Sequence, residues 1–219
     1  MTGEVLLVRH TEVALAWHGR CYGHSDMGLS REGTRHARKL AVAIASEPLA
    51  AIVHSGLRRT GVVADLLARM TGLAPIADPR WRERGFGDWE GRSWDAIWRA
   101  TGNAMDGMMT DPEGFRPGGG ETGAELATRC YKAWHALPMN GRVVVIAHGG
   151  PIGALGAAAR NASLHEVPSF IPKLGGSLKL PRTAFNCQLS NADLIPRVSA
   201  ERPSPSVMTA RQHRRKHRQ

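Results

Sequence analysis

The sequence predicts an α/β fold, a three-layer α/β/α sandwich around a mostly parallel central sheet. Three observations carry this. Short apolar runs alternate with amphipathic helical stretches along the 219-residue chain, the pattern of a sheet covered by helices. Residues 143–147, Val-Val-Val-Ile-Ala, are apolar on both faces, as a central parallel strand must be. Hydrophobic residues make up 42% and charged residues 22%, a balance that lets one domain of this length bury its own core.

The elements follow in order. Residues 5–8 form a short apolar run, read as a buried strand. Ala37, Leu40, Ala41 and Ile44 recur at helical spacing and predict an amphipathic helix over about 30–46. Residues 51–53 are a second strand. Val62, Val63, Leu66, Leu67 and Met70 mark a second helix that stops at Gly72. Residues 81–92 read as a loop. The glycine-rich stretch 102–120, with Pro112 and Pro117, reads as a flexible surface segment placed like a lid. Thr122 and Glu125 make a capping box for a helix along Leu126, Cys130, Trp134 and Leu137. After the 143–147 strand, Gly149-Gly150-Pro151 opens an Ala-rich helix with Pro in its first turn. Residues 167–189 read as edge strands with turns. The expected domain is 1–196, followed by a basic, disordered tail over 197–219.

Net charge is +10. Residues 201–219 hold six Lys or Arg and one Glu, so half of the excess sits in the tail. A basic body suits a small anionic substrate, and a basic tail alone suits loose contact with nucleic acid. The three cysteines, Cys21, Cys130 and Cys187, are far apart, which predicts reduced thiols in a cytoplasmic protein rather than disulfides or zinc. No apolar run approaches the ~18 residues of a membrane span, and the first one is too short for a signal peptide.

In open α/β sheets the chemistry lies at the carboxyl ends of the strands. The first strand ends in Arg9-His10-Thr11-Glu12, the second in His54-Ser55 with Arg58-Arg59 shortly after, and the 143–147 strand in His148-Gly149-Gly150. Two histidines at separate strand ends, one beside Arg, suit phosphoryl transfer through imidazole. Neutral imidazole is a good nucleophile near neutral pH, and a neighbouring Arg9 disfavours its charged form. Arg9, Arg59, His148 and the N–H groups at Gly149-Gly150 can hold the equatorial oxygens. Glu83, Asp88 and Glu90 are all candidates for the acid that protonates a leaving oxygen, and spacing does not choose among them. No metal-ligand spacing, P-loop or GxSxG elbow is present, so no metal and no cofactor are expected.

At these motifs the chain resembles the histidine phosphatase (phosphoglycerate mutase-like) superfamily, over roughly residues 4–160. Leu7-Val8-Arg9-His10-Thr11-Glu12 is similar to its RHG signature, Ser55-Gly56-Leu57-Arg58-Arg59-Thr60 to its S-x-L-x-R-A segment, and Ala147-His148-Gly149-Gly150 to its second-histidine motif. The resemblance implies that His10 is the nucleophile, Glu83 the proton donor, and Arg9, Arg59 and His148 the phosphoryl holders. Thr11 stands where Gly is usual, and Ala16 where the family carries Asn. Residues 21–26, Cys-Tyr-Gly-His-Ser-Asp, and residues 86–91, Phe-Gly-Asp-Trp-Glu-Gly, are similar to α-ribazole phosphatases of cobalamin biosynthesis. They add Thr11, Arg20, Cys21, Tyr22, Gly23 and Gly149 as candidate substrate-binding residues. The alternatives are a broad sugar-phosphate or phosphoglycerate phosphatase, a phosphoglycerate mutase-like enzyme, and a non-enzymatic module touching nucleic acid through the tail. The expected partner is a small phosphorylated metabolite, with no membrane and no specific nucleic acid; a homodimer is compatible with all of these. Trp94 and Trp98 are the candidates for stacking on a substrate ring.

Overall fold

A computed structural model describes residues 3–185 of the chain. The basic tail, with Cys187, His213 and His217, lies outside them. The strands are β1 (Glu4–Arg9), β2 (Ala51–His54), β3 (Pro75–Ala77), β4 (Arg142–Ala147) and β5 (Ser177–Pro181). The α-helices are α1 (Arg31–Ala45), α2 (Arg58–Thr71), α3 (Trp94–Thr101), α4 (Gly107–Thr110), α5 (Gly123–His135) and α6 (Gly149–Ala158).

The five strands form one sheet in the order β3-β2-β4-β1-β5. β1, β2 and β3 run parallel to β4 or to one another, and only the edge strand β5 is antiparallel. Alternation along each strand divides the core. Leu6, Val8, Ile52, Val144 and Ile146 face α1 and α2 and meet Ala37, Ala41, Ile44, Val63 and Leu67. Val5, Leu7, Val53, Val143 and Val145 face the other way and meet Leu126, Trp134, Ile152 and Leu155. Two helical layers on a period-two sheet give the three-layer sandwich.

Local chemistry sets the helix starts. The Ser30 hydroxyl accepts the Gly33 N–H at 2.8 Å and caps α1. Asp26, far off in sequence, accepts the Arg58 N–H at 2.7 Å and caps α2. That cap lets α2 begin before its apolar spacing does, so the helix predicted from Val62 starts at Arg58. Gly72 takes a φ of +75° at the end of α2, a conformation natural to glycine. The α5 capping box is complete on both sides.

Several expectations change. The 102–120 stretch is not plain loop: it holds 3-10 turns and α4. The 81–92 loop contains a tight turn, Gly87–Trp89. Among the described residues of the 167–189 stretch, read as edge strands, only β5 is a strand, because residues 164–170 wind into a 3-10 turn against α6. The small strand β3 and the helix α3 were not foreseen; three residues carry no periodic signal.

Thr122→Ala is expected to lower the unfolding free energy by about 1 kcal/mol, the usual worth of a helix N-cap. A urea titration with an unchanged slope would show it as a lower midpoint.

Candidate active site

The parallel strands β1, β2 and β4 bring their carboxyl ends together, and the predicted strand-end residues meet there. The His10 backbone N–H bonds Ala147 O at 3.1 Å, which holds the two strand ends side by side. The His10 and His148 rings lie 5.1 Å apart, edge to face. His10 Nδ1 lies 2.7 Å from Thr11 O. A carbonyl only accepts, so Nδ1 carries the proton and Nε2 is left with its lone pair. Burial first, then the Arg59 and Arg9 charges, hold the His10 imidazole down at about 3, against the pull of the Thr11 carbonyl. The ring is neutral at ordinary pH, so Nε2 keeps the lone pair that a nucleophile needs.

Arg59 lies fully buried in the first turn of α2. Its Nη1 bonds Ser25 O at 2.7 Å and approaches Met27 Sδ at 3.2 Å, and its Nη2 bonds Gly23 O at 2.7 Å. Its Nε bonds His148 Nδ1 at 3.2 Å. His148 Nδ1 is therefore an acceptor, and its Nε2–H donates to Ser55 Oγ at 2.8 Å. Ser55 Oγ lies 2.9 Å from Thr60 Oγ1, which donates onward to Leu57 O at 2.8 Å. The chain has one consistent direction, which keeps His148 neutral. Burial and the Arg59 charge push its pKa the same way, well below the ordinary histidine value. Both ring nitrogens are thus engaged by protein. What the geometry gives His148 is the orientation of Arg59.

Arg9 reaches Pro172 O with Nη1 at 2.8 Å, while its buried Nε has no partner. Among the described residues neither Arg9 nor Arg59 is paired with a carboxylate. Two unpaired guanidiniums around a neutral imidazole form an anion cradle.

The three candidate acids separate. Glu90 accepts from His24 N, Phe86 N, Ser25 N and Ser25 Oγ, which occupies both its oxygens. Asp88 is exposed. Glu83 lines a cavity of about 250 Å³ together with Arg9 and Gly149. Its Oε1 accepts the Arg84 and Gly150 N–H groups, each at 2.9 Å. The Gly150 N–H is therefore spent on Glu83, a correction to its predicted part in holding oxygens.

The remaining candidates have other places. Tyr22 sits by the cradle, its ring 6.3 Å from that of His10 and 5.2 Å from the Arg59 guanidinium carbon, and burial raises its pKa. Gly149 lines the cavity at a point where a Cβ would stand 3.4 Å from Arg9 Cζ. Thr11 is turned away: its hydroxyl donates to Gly33 O at 2.8 Å, so it offers no donor to the cradle. Cys21 is packed with Trp89 and Ile97, and burial pushes its thiol up to about 12. Gly23 acts through the carbonyl that holds Arg59. Arg20 is exposed and bonds Ala16 O and Gly91 O. Trp94 packs edge-on against Phe86 and Trp98 is exposed; neither lines the cavity.

Sequence reasoning missed a support beneath Glu83. Arg129 on α5 binds both Glu121 oxygens, at 2.6 and 2.9 Å, and the carbonyls of Arg80, Arg82 and Glu83. The Glu83 carbonyl also accepts from His24 Nε2 at 2.8 Å. Arg129 falls on the polar side of a predicted helix, where nothing local marks such a contact.

A three-layer α/β fold with a histidine-centred anion cradle at its strand ends defines an enzyme of phosphoryl chemistry. Residues 5–189 match the family model described as the histidine phosphatase superfamily, branch 1, and the chain belongs to that superfamily. A probable phosphoglycerate mutase GpmB of Yersinia pestis (strain Pestoides F) is 32% identical over 155 residues, 69% of this chain and 72% of the relative. The structure of mycobacterial glucosyl-3-phosphoglycerate phosphatase superposes with a TM-score of 0.73 at 27% identity, covering 82% of this chain and 90% of that one. Bacillus stearothermophilus YhfR superposes with a TM-score of 0.75 at 25% identity, covering 81% and 90%. The chain is thus an enzyme of the histidine phosphatase kind.

The buried imidazole links stability to acid. Folded His10 takes a proton only at about 3, whereas an unfolded histidine does so near ~6.5. Between those values the unfolded chain binds more protons, so the contribution is complete above ~6.5 and is lost as pH falls toward 3. The urea midpoint is expected to drop from pH 7 to pH 4, and to drop less in His10→Gln. An equal drop in both would remove His10 from the linkage.

Proposed function

We propose that the chain hydrolyses phosphomonoesters through a phosphohistidine formed at His10 Nε2. The observation that supports it most is the unprotonated Nε2 beside two guanidiniums that, among the described residues, lack carboxylate partners. In the first step the Nε2 lone pair attacks phosphorus in line, the P–O ester bond breaks, and the Glu83 carboxyl gives its proton to the leaving oxygen. In the second, the Glu83 carboxylate takes a proton from water as its oxygen attacks phosphorus. The P–N bond breaks, leaving orthophosphate and neutral imidazole. Arg9 and Arg59 hold the oxygens that carry the developing charge. His148 keeps the Arg59 fork in place through Nδ1. Complexes of the mycobacterial neighbour with VO3 and with inorganic phosphate, at TM-scores of 0.71 and 0.70, support a phosphoryl cradle in this fold.

For the substrate we propose α-ribazole-5′-phosphate, placing the enzyme in cobalamin biosynthesis. The likeness of residues 21–26 and 86–91 to that subset supports it. A second reading, a sugar-phosphate or phosphoglycerate phosphatase, draws support from the names of the mycobacterial and Yersinia relatives. Phosphate release from α-ribazole phosphate, 3-phosphoglycerate and fructose 2,6-bisphosphate separates the two; less than a tenfold preference for the first sinks the narrow assignment.

His10→Ala is expected to abolish turnover with the circular dichroism unchanged, and labelled phosphate trapped on the wild-type enzyme should map to His10. Appreciable residual activity would point to another nucleophile. Glu83→Gln is expected to slow alkyl phosphates by roughly 10²–10⁴ and p-nitrophenyl phosphate much less, because nitrophenolate leaves without a proton. The same pattern in Asp88→Asn instead would move the acid.

A further inference from the structure

The cavity next to the cradle has a composition that the phosphoryl chemistry alone does not explain. It opens from Arg9 and Glu83 and encloses about 250 Å³, just below the roughly 300–1,000 Å³ of drug-sized ligand pockets. Its walls beyond those two residues are apolar, formed by Phe86, Met108, Met109, Leu126, Val167 and Ile171. Three ionisable side chains line it, namely Arg9, Glu83 and Arg84. In the mechanism proposed above the first faces the phosphoryl group and the second the leaving oxygen. Arg84 is held by backbone, its Nε on Glu121 O at 2.7 Å and its Nη2 on Phe115 O at 3.0 Å. A carboxylate or second phosphate carried in beyond the scissile ester would shed its hydration against these apolar walls, and Arg84 could meet it only with the N–H groups that its backbone acceptors leave over. A ring without charge would exchange water for methionine, leucine and phenylalanine surface.

The walls are also tied together. Met109 belongs to α4, in the glycine-rich stretch, and its carbonyl accepts from His165 Nδ1 at 2.7 Å. His165 lies in the 3-10 turn Leu164–Phe170, which carries the wall residue Val167. Two of the wall segments are thus joined by a side-chain hydrogen bond between exposed residues.

We infer that this cavity is the leaving-group site and that it selects esters of uncharged alcohols bearing an aromatic ring, against sugar phosphates, phosphoglycerates and bisphosphates. The inference rests on the phosphomonoesterase reading and narrows it: α-ribazole phosphate, with its uncharged benzimidazole, falls inside the class, and 3-phosphoglycerate falls outside. Met109 is the specificity-determining position most open to change, because its side chain lines the cavity while the residue is 50% exposed.

The test uses the full chain and three esters of primary alcohols, whose leaving oxygens make similar demands: benzyl phosphate, 3-phosphoglycerate and glucose 6-phosphate. kcat/KM for benzyl phosphate is expected to exceed the other two at least tenfold, mostly through KM. Met109→Arg is expected to raise kcat/KM for 3-phosphoglycerate about tenfold and to lower it for benzyl phosphate. Binding reads the same selection without turnover: calorimetry should show benzylphosphonate binding at least tenfold more tightly than phosphonoacetate. His10-dependent hydrolysis that favours 3-phosphoglycerate or glucose 6-phosphate overturns the selection and leaves the phosphomonoesterase reading standing. So does equal or tighter binding of phosphonoacetate. Tight benzylphosphonate binding without turnover of any ester would support the cavity and sink the phosphomonoesterase reading instead.

Discussion

A guanidinium taken wholly out of water needs compensation, and Arg59 receives it without a carboxylate. Two backbone carbonyls, a methionine sulfur and an imidazole nitrogen meet its N–H groups. Such acceptors orient the group and satisfy its donors but leave its net charge in place. Burial lowers the Arg59 pKa from its ordinary value, opposed first by Glu83, yet an arginine does not give up its proton in a protein. The carboxylates around it are quietened in a different way. Asp26 caps α2, Glu90 is filled by four donors, and Glu83 is held by two backbone N–H groups. Each acid keeps its charge, which Arg59 feels at a distance, but its oxygens are occupied by neutral donors, and among the described residues none forms a contact ion pair with Arg59 or Arg9. In the proposed function a phosphoryl group is the contact counter-ion.

Much of the surrounding architecture serves that arrangement. Residues 23–27 fold over Arg59 to present their carbonyls and sulfur. The backbone of Gly23 passes so close to Arg84 O and Phe86 that a side chain would strike both. On the other face, α6 is buried on nearly every side, and its small residues bring it close to the 164–171 segment. A Cβ on Gly153 would stand 2.8 Å from Val167 O, and one on Gly156 2.9 Å from Phe170 Cβ. That packing seats Ile171 and Pro172 beside Arg9, so the cavity wall and the Arg9 anchor come from one segment. α5 contributes through Arg129, which ties down the backbone that carries Glu83.

How much of this was legible follows from how local each signal is. His10, Arg9, His148 and Arg59 could be read because each follows an apolar run, and parallel strands gather their ends by topology alone. The two covered faces of the sheet could be read because residues 143–147 are apolar on both. Roles that depend on where an atom points could not. Thr11, Cys21 and Gly23 lie in the right stretch of chain, yet one bonds the start of α1, one joins a satellite core and one acts through its carbonyl. The choice among Glu83, Asp88 and Glu90 needed three-dimensional bookkeeping of N–H groups. The cavity was the least visible feature, since its lining comes from six separate segments and the 164–170 turn has no periodic pattern.

The two ends of the site divide the work of recognition. The cradle is all charge and fixed dipole, and any phosphomonoester presents it with the same group, so it contributes rate and little discrimination between substrates. Discrimination has to come from the alcohol, where the walls are apolar and the nearby charge of Arg84 is turned onto backbone. Binding energy gathered there is available to hold the ester bond in line with His10 Nε2 and beside Glu83. The segments that form those walls, 107–112 and 164–171, cross the open end of the sandwich rather than build its core.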